Sequence, residues 1–234
     1  MELKFLGCGD SFCFALGNNA AFFFEGDHLF FLDMGQSIFA KALDRGLIQK
    51  AKQVTVFITH CHMDHIGSLG EAITYFSVFH PEIPFEIIFP DKAYLEARLG
   101  DLYPLEKTPI RETLQGDFGD FTYRFVPARH IPNSYSLFLK DPETHLYYSG
   151  DNSMLNEEAK KRLFDGTMDA LYQDVGRATN PYHFGFPDLV LAIPENLRGK
   201  VIVMHVPSAS LLEEAKSLGF GAPDLLLVFL FMGQ

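Results

Sequence analysis

The sequence has only three cysteines, no tryptophan and no cluster of basic residues. Cys8, Cys13 and Cys61 make a small, odd set, which argues against a disulfide framework and for a reducing compartment. Nowhere do five Lys or Arg follow one another, and the formal net charge is −11. A surface that acidic repels nucleic-acid phosphates at long range. The longest apolar run, LLLVFLFMG near the C-terminus, is too short to cross a bilayer as a helix. MELKFLG at the start lacks the basic stretch and long apolar stretch of a secretory leader. Together these absences lead to the expectation of a cytoplasmic protein with no membrane partner. The missing tryptophan, beside abundant phenylalanine, carries no functional reading.

What is present is an ordinary globular composition, 47% apolar and 21% charged, over 234 residues, enough for one sizeable core. A single domain over 1–234 is expected. MELKFLG reads as a strand, and CGDSFCFALGNN as a loop punctuated by Gly and Asn. AAFFFEGDHLFFLDMG is two apolar runs around EGDH, the signal of a hairpin. SIFAKALDRGLI has helical periodicity with Ser37 as N-cap, and VTVFIT is a β-branched buried strand. SLGEAITYFSVFH reads as a helix closed by Pro81, FEIIFP as a strand and DKAYLEARLG as a helix ending at Gly100. From 110 to 149 the pattern is β. NEEAKKRLF is helical, MDALYQDVG and KVIVMHV are strands, SASLLEEAKSLG is a Ser-capped helix, and PDLLLVFLF is the last strand. Strands in two sets with helices interleaved suggest packed sheets with helices outside.

The densest chemistry is HCHMDHIG, residues 60–67, directly after VTVFIT. Imidazoles and carboxylates are costly to bury without partners. The segment is therefore either a polar turn, with Asp64 capping the next helix, or a shared cation site. Residues i and i+2 of an extended segment face one side, so His60 and His62 can grip one cation. Asp64 and His65, on the following turn, can address a second. His130 follows FTYRFVPAR, Asp151 follows HLYYSG and His205 follows KVIVM. Each stands at the C-terminal side of an apolar run, where sheets of this kind place their sites. Imidazole and carboxylate donors suit zinc, and also manganese or iron.

In these residues the sequence resembles the metallo-β-lactamase superfamily. The resemblance implies an α/β fold, an αββα sandwich of two mixed β-sheets with helices on the outer faces. It also implies two divalent metal ions, zinc first. His60, His62 and His130 would hold one; Asp64, His65 and His205 would hold the other; Asp151 would bridge. Asp64 counts among the catalytic residues as well. Asp33, in FFLDMG, would orient a ligand; as a plain turn residue before Gly35 it would only shape the loop. Water on such ions loses its proton near pH 7, so a hydrolase of this type needs no Ser or Cys nucleophile. Cys61 should point away from His60 and His62, into the core.

Within the superfamily, His62 stands where redox members carry a carboxylate, which favours hydrolysis. Asp151 stands where the β-lactamases commonly have Cys. FLGCGD, HIPNSYSL and YYSGD resemble the ribonuclease Z and cyclic-nucleotide phosphodiesterase branch. There a downstream His paired with an acid assists the leaving group, and Asp174 and His183 are the candidates here. Asp replaces that branch's usual Glu, and the spacing is short. The segment between His130 and Asp151 has no room for the tRNA-clamping arm of ribonuclease Z, and no basic patch substitutes for it. The expectation is a hydrolase of a small anionic ester, a phosphodiester first, with transfer RNA disfavoured as a partner. A lactone or thioester hydrolase is the alternative. A non-catalytic metal-binding regulatory protein is a third reading. Oligomeric state stays open, a homodimer being one arrangement. His28 and His145 read as surface positions and His80 as a helix end, none of them ligands.

Overall fold

The computed structural model describes residues 1–100 and 108–226. Thirteen strands lie among them, in two sheets. The first holds β1 (Lys4–Gly7), β2 (Ala20–Glu25), β3 (His28–Leu32), β4 (Gln53–Phe57), β5 (Phe85–Ile88), β6 (Ile110–Arg111) and β13 (Asp224–Leu225), in the order β13-β1-β2-β3-β4-β5-β6. The second holds β7 (Gln115–Phe118), β8 (Phe121–Pro127), β9 (Tyr135–Lys140), β10 (His145–Tyr148), β11 (Ala170–Asp174) and β12 (Val201–Met204), in the order β12-β11-β10-β9-β8-β7. Both sheets are mixed. β2 and β3 form the expected antiparallel hairpin, with Glu25 opposite His28, while β3, β4, β5 and β6 run parallel. In the second sheet β7 to β10 are antiparallel and β10, β11 and β12 parallel.

Period-two alternation sorts the side chains into layers. In β3, Phe30 and Leu32 face the second sheet and meet Phe121, Tyr123 and Leu137. Leu29 and Phe31 face outward, into a core with Ile38 and Phe39 of α1 (Ile38–Asp44), Leu69 and Ile73 of α3 (Leu69–Thr74) and Leu95 of α4 (Lys92–Leu99). The second sheet's outer face is covered by Ala159 and Leu163 of α5 (Glu157–Phe164), Leu189 of α6 (Phe186–Ala192) and Leu211 of α7 (Ala209–Ser217). Helix, sheet, sheet, helix is the resulting order of layers. The inter-sheet core is aromatic: Phe23 stacks on Phe30 at 4.9 Å between ring centres, and Phe57 meets Tyr123 edge-on at 4.8 Å.

Several local expectations are refined. Ser37 occupies the N-cap of α1, but its hydroxyl reaches Asn18 Oδ1 rather than a helix N–H. The helix expected through residue 80 ends as α3 at Thr74 and continues as one π-helical turn, Tyr75–Phe79. A short helix, α2 (Met63–Ile66), follows His62. The last strand is seen only as β13; the rest of PDLLLVFLF lies outside the described residues. His28, expected at the surface, is half-buried: its ring stacks on Phe30 at 3.9 Å and its Nε2 lies 2.8 Å from Thr55 Oγ1.

The topology brings six strands to one edge. β3 and β4 run parallel and leave the sheet at Asp33 and at Thr59–His60. Across the sandwich, β8, β10, β11 and β12 share a direction and end before His130, Asp151 and His205, with Asp174 the last residue of β11. The C-terminal ends of these strands meet in one cleft.

Candidate metal centre

His60, His62, His130 and Asp151 direct donor atoms at one point. His60 Nε2 lies 3.1 Å from His62 Nδ1, and His130 Nε2 lies 3.0 Å from the same atom. Asp151 Oδ2 is 3.7 Å from His60 Nε2 and 3.6 Å from His130 Nε2. Zinc bonds of about 2.0–2.1 Å would set tetrahedral donors about 3.3–3.4 Å apart, and these edges bracket that value. The other oxygen of Asp151 faces a second set. Oδ1 is 3.2 Å from His65 Nε2 and 3.5 Å from His205 Nε2. Asp64 Oδ2 lies 3.4 Å from His65 Nε2 and 3.2 Å from His205 Nε2.

Buried His65 Nε2 and Asp151 Oδ1 have no hydrogen-bond partner among the described residues. Orphaned polar atoms that converge in a dry site are costly unless a cation joins them. The residues therefore fit two divalent ions bridged by Asp151. The seven residues expected from the sequence are all brought together.

Beneath them lies a support the sequence showed only in part. Asp33 is fully buried, and its carboxylate accepts the Thr59 N–H at 2.8 Å, the Thr59 hydroxyl at 2.8 Å and His65 Nδ1–H at 2.8 Å. Thr59 Oγ1 is also 3.1 Å from His60 Nδ1. One carboxylate thus fixes the tautomer of His65 directly and that of His60 through a hydroxyl, leaving each Nε2 free to ligate. Asp33 is accordingly more than a turn residue. His130 Nδ1 donates to the Tyr182 carbonyl at 2.9 Å, which aims its Nε2 in the same way. Asp33 and His205 adopt left-handed backbone, φ 67° and 51°, conformations that Asp and His tolerate better than most residues. Thr59 was missed because its partner lies 26 residues earlier.

Charge in the site follows burial and neighbours. Burial and the adjacent imidazoles push His60 well below its usual value, and burial brings His130 down to about 4. Burial opposes ionisation of Asp64 and Asp151, yet the surrounding imidazoles hold both well below the usual carboxylate range. His65 and His205 are raised: burial works against them, and the Asp151 and Asp64 charges prevail. A cation at these atoms would release those protons. Cys61 packs in the core, where burial pushes its thiol up to about 12, well above any nucleophilic range.

Asp174 and His183 form the expected pair. His183 Nδ1 is 2.9 Å from Asp174 Oδ2, and the pair closes a third cluster with Asp151 and His205. The His183 ring stacks against His205 at 5.3 Å. Asp174 is buried and also accepts from the Asn152 N–H and the Gln173 side chain. Burial raises its carboxyl despite the hydrogen bond from His183. Burial opposes the charged ring of His183, but its bond to Asp174 carries it above the ordinary value. A hydrogen bond thus joins the two groups directly beside the metal-site donors. His28, His80 and His145 join none of these clusters.

Compared with known proteins, the chain is 26% identical to an anti-Pycsar protein Apyc1 of Paenibacillus harenae, over 88% of this chain and 89% of that one. It is 24% identical to an anti-Pycsar protein Apyc1 of Bacillus phage 010DV004, over 88% of each. Among solved structures it resembles the metallo-β-lactamase fold protein YhfI of Bacillus subtilis, with a TM-score of 0.69, 18% identity and 95% and 94% of the two chains covered. The fold expected from the sequence is therefore the fold observed. No helix among the described residues is long and apolar enough to cross a membrane. The family model of the anti-Pycsar protein Apyc1 matches residues 1–220 from the first strand through α7, and the chain belongs to that family.

Proposed function

We propose that this chain is a dinuclear metal-dependent hydrolase of a small phosphodiester, and that cyclic nucleotides are the substrate class. One observation carries the choice of phosphodiester: the buried Asp174–His183 pair set against His205 and Asp151. A phosphodiester that lacks an activated leaving group must expel an alkoxide, and an alkoxide needs a proton. His183 Nδ1 is turned to Asp174, and its Nε2 has no protein partner among the described residues. That nitrogen can deliver the proton as the bond from phosphorus to the leaving oxygen breaks. Asp174 keeps the ring oriented and charged.

Divalent ions held by His60, His62, His130, Asp64, His65, His205 and Asp151 would supply Lewis acidity and a water acidified to near neutrality. Zinc is the ion this donor set suits best, with manganese or iron as alternatives. Asp33 and Thr59 hold the ligating rings in register. The ribonuclease Z-like motifs and the family's anti-Pycsar description support the phosphodiester reading. An acidic surface without a clamping arm supports small substrates over transfer RNA, and we place the protein in the cytoplasm.

The test is an assay of the metal-loaded protein against 3′,5′-cyclic nucleotides, bis-p-nitrophenyl phosphate and a lactone panel. Cyclic nucleotides should turn over. His183→Ala should slow them by roughly 10²–10⁴ while sparing the p-nitrophenyl ester, whose leaving group departs unprotonated. Metal content should stay the same. Lactone turnover without phosphodiester turnover would contradict the proposal.

A further inference from the structure

The loop between β1 and β2 displays two of the most exposed large apolar side chains among the described residues. Phe12 is 84% exposed and Phe14 78%. Met63, in α2, is 58% exposed. The three belong to one feature. With Gln36, His62 and Asp64 they line an open cavity of about 440 Å³. Its wall is thus shared with one candidate ligand of each ion.

The loop is fastened down. Asp10 Oδ1 accepts the N–H groups of Phe12 and Cys13, each at 2.9 Å. The Gly9 N–H donates to Gly17 O at 2.8 Å. The Asp10 N–H donates to Val206 O at 3.1 Å, and the Val206 N–H returns to Cys8 O at 2.9 Å. The loop is therefore tied to the residue that follows His205. Apolar rings held in water on a pinned loop, at the edge of a polar site, mark a binding surface rather than a frayed tip.

We propose that this cavity binds the planar base of a nucleotide, with Phe12 and Phe14 as its stacking surface and the phosphate directed to the metal centre. The position assigned to the phosphate rests on the phosphodiesterase reading above. No Lys or Arg lines the cavity. An anionic group would find nothing there to hold it, whereas a neutral flat ring would. Every base has a π-face, so such a platform selects for a base without selecting which one. The Met63 thioether makes favourable contacts with aromatic rings, and the Gln36 amide offers a donor and an acceptor to a base edge. The cavity's size falls in the usual range for small-molecule sites. In a protein with a net charge of −11, the metal centre can hold the phosphate, and the organic half of the substrate needs its own site.

The experiment is calorimetric titration of the zinc-loaded protein with AMP and with ribose 5-phosphate, which share the sugar phosphate and differ at C1′, where one carries adenine and the other a hydroxyl. Stacking on aromatic side chains is worth roughly 5- to 150-fold in affinity per base. The wild type should prefer AMP by a factor in that range. The double variant Phe12→Ser/Phe14→Ser should bring the preference close to unity and leave ribose 5-phosphate binding unchanged. Phe14→Tyr, which keeps the ring, should retain the preference, and the unchanged ribose 5-phosphate binding of the double variant shows that its fold and metal centre are intact. No preference in the wild type, or a preference that survives the double variant, overturns the proposal. Sedimentation velocity covers another occupant: if the double variant turns a dimer into a monomer while the AMP preference persists, the rings are a subunit interface and the proposal falls. Base-dependent binding without cyclic-nucleotide turnover would refute the phosphodiesterase reading and leave this site standing. Turnover without base-dependent binding would do the reverse.

Discussion

Replacing Asp33 by Asn should weaken one metal position far more than the other. The substitution is nearly isosteric, and Asn tolerates the left-handed backbone at this position (φ 67°). Asp33 Oδ1 accepts the Thr59 N–H, while Oδ2 accepts His65 Nδ1–H and the Thr59 hydroxyl. An amide has one oxygen. If it keeps the Thr59 N–H, its NH₂ group faces the proton on His65 Nδ1, donor against donor. That proton then moves to Nε2, the nitrogen that should ligate. A lost charge-assisted hydrogen bond costs about 1.5–3 kcal/mol, in line with the 10- to 100-fold loss of metal affinity typical when the partner of a ligating His is removed, roughly. The loss should fall on the Asp64–His65–His205 position. Thr59→Val gives the complementary case. It keeps the volume and the backbone N–H but removes the hydroxyl 3.1 Å from His60 Nδ1, so the His60–His62–His130 position should weaken most. Competition with a chromophoric chelator resolves the two steps. Asp33→Asn within about threefold of wild type at both steps, or two variants that weaken the same step, would show that these hydrogen bonds do not set the ligating tautomers.

Gly35→Ala should disturb the site from behind: a Cβ there would lie 2.0 Å from the Asp64 backbone oxygen, so the 33–35 loop or the Asp64 turn must move. Overpacking of this kind costs about 1–3 kcal/mol, and a lower Tm with loss of roughly one ion per chain is expected; an unchanged Tm with both ions retained would contradict it. His28 should make the fold acid-sensitive, because burial, partly offset by Asp27, lowers its pKa from 6.5 to about 4. The folded value lies below the unfolded one, so this stability is fully present above about pH 6.5 and is lost as the pH falls toward 4. The full shift corresponds to about 3.4 kcal/mol, which solvent screening of a half-buried ring reduces to about 1–2 kcal/mol. His28→Gln should flatten the decline in unfolding free energy between pH 7.5 and 4.5, measured by urea titration in chelator, by that amount; parallel curves would disprove the assignment.

Much of this architecture is legible in the sequence because its signals are local. The alternation in β3 shows which residues face which layer, and an apolar run followed by a His or Asp marks each strand end that feeds the cleft. HCHMDH carries its own geometry, since an extended pair and a following turn suffice to aim four side chains. Other parts depend on contacts that no local pattern encodes. β7 falls inside the stretch read as β, but it is polar and largely exposed, so QGDF shows no apolar rhythm from which its bounds could be drawn. α6 is masked by Pro187, which reads as a breaker but sits in the first turn, where it is tolerated. Thr59 looks like an ordinary strand residue until the fold brings Asp33 beneath it. Phe12 and Phe14 read as loop residues, and only the structure shows them held out into water beside His62.

Metal stoichiometry decides whether the seven donors form a dinuclear centre. Protein dialysed against a zinc-replete buffer and analysed by elemental and native mass spectrometry should hold two ions per chain. Asp151→Ala removes the carboxylate whose two oxygens face the two donor sets, Oδ2 toward His60 and His130 and Oδ1 toward His65 and His205. The variant should therefore fail to retain either ion tightly. One ion or none in the wild type, or two ions held by Asp151→Ala with unchanged affinity, would contradict the dinuclear centre.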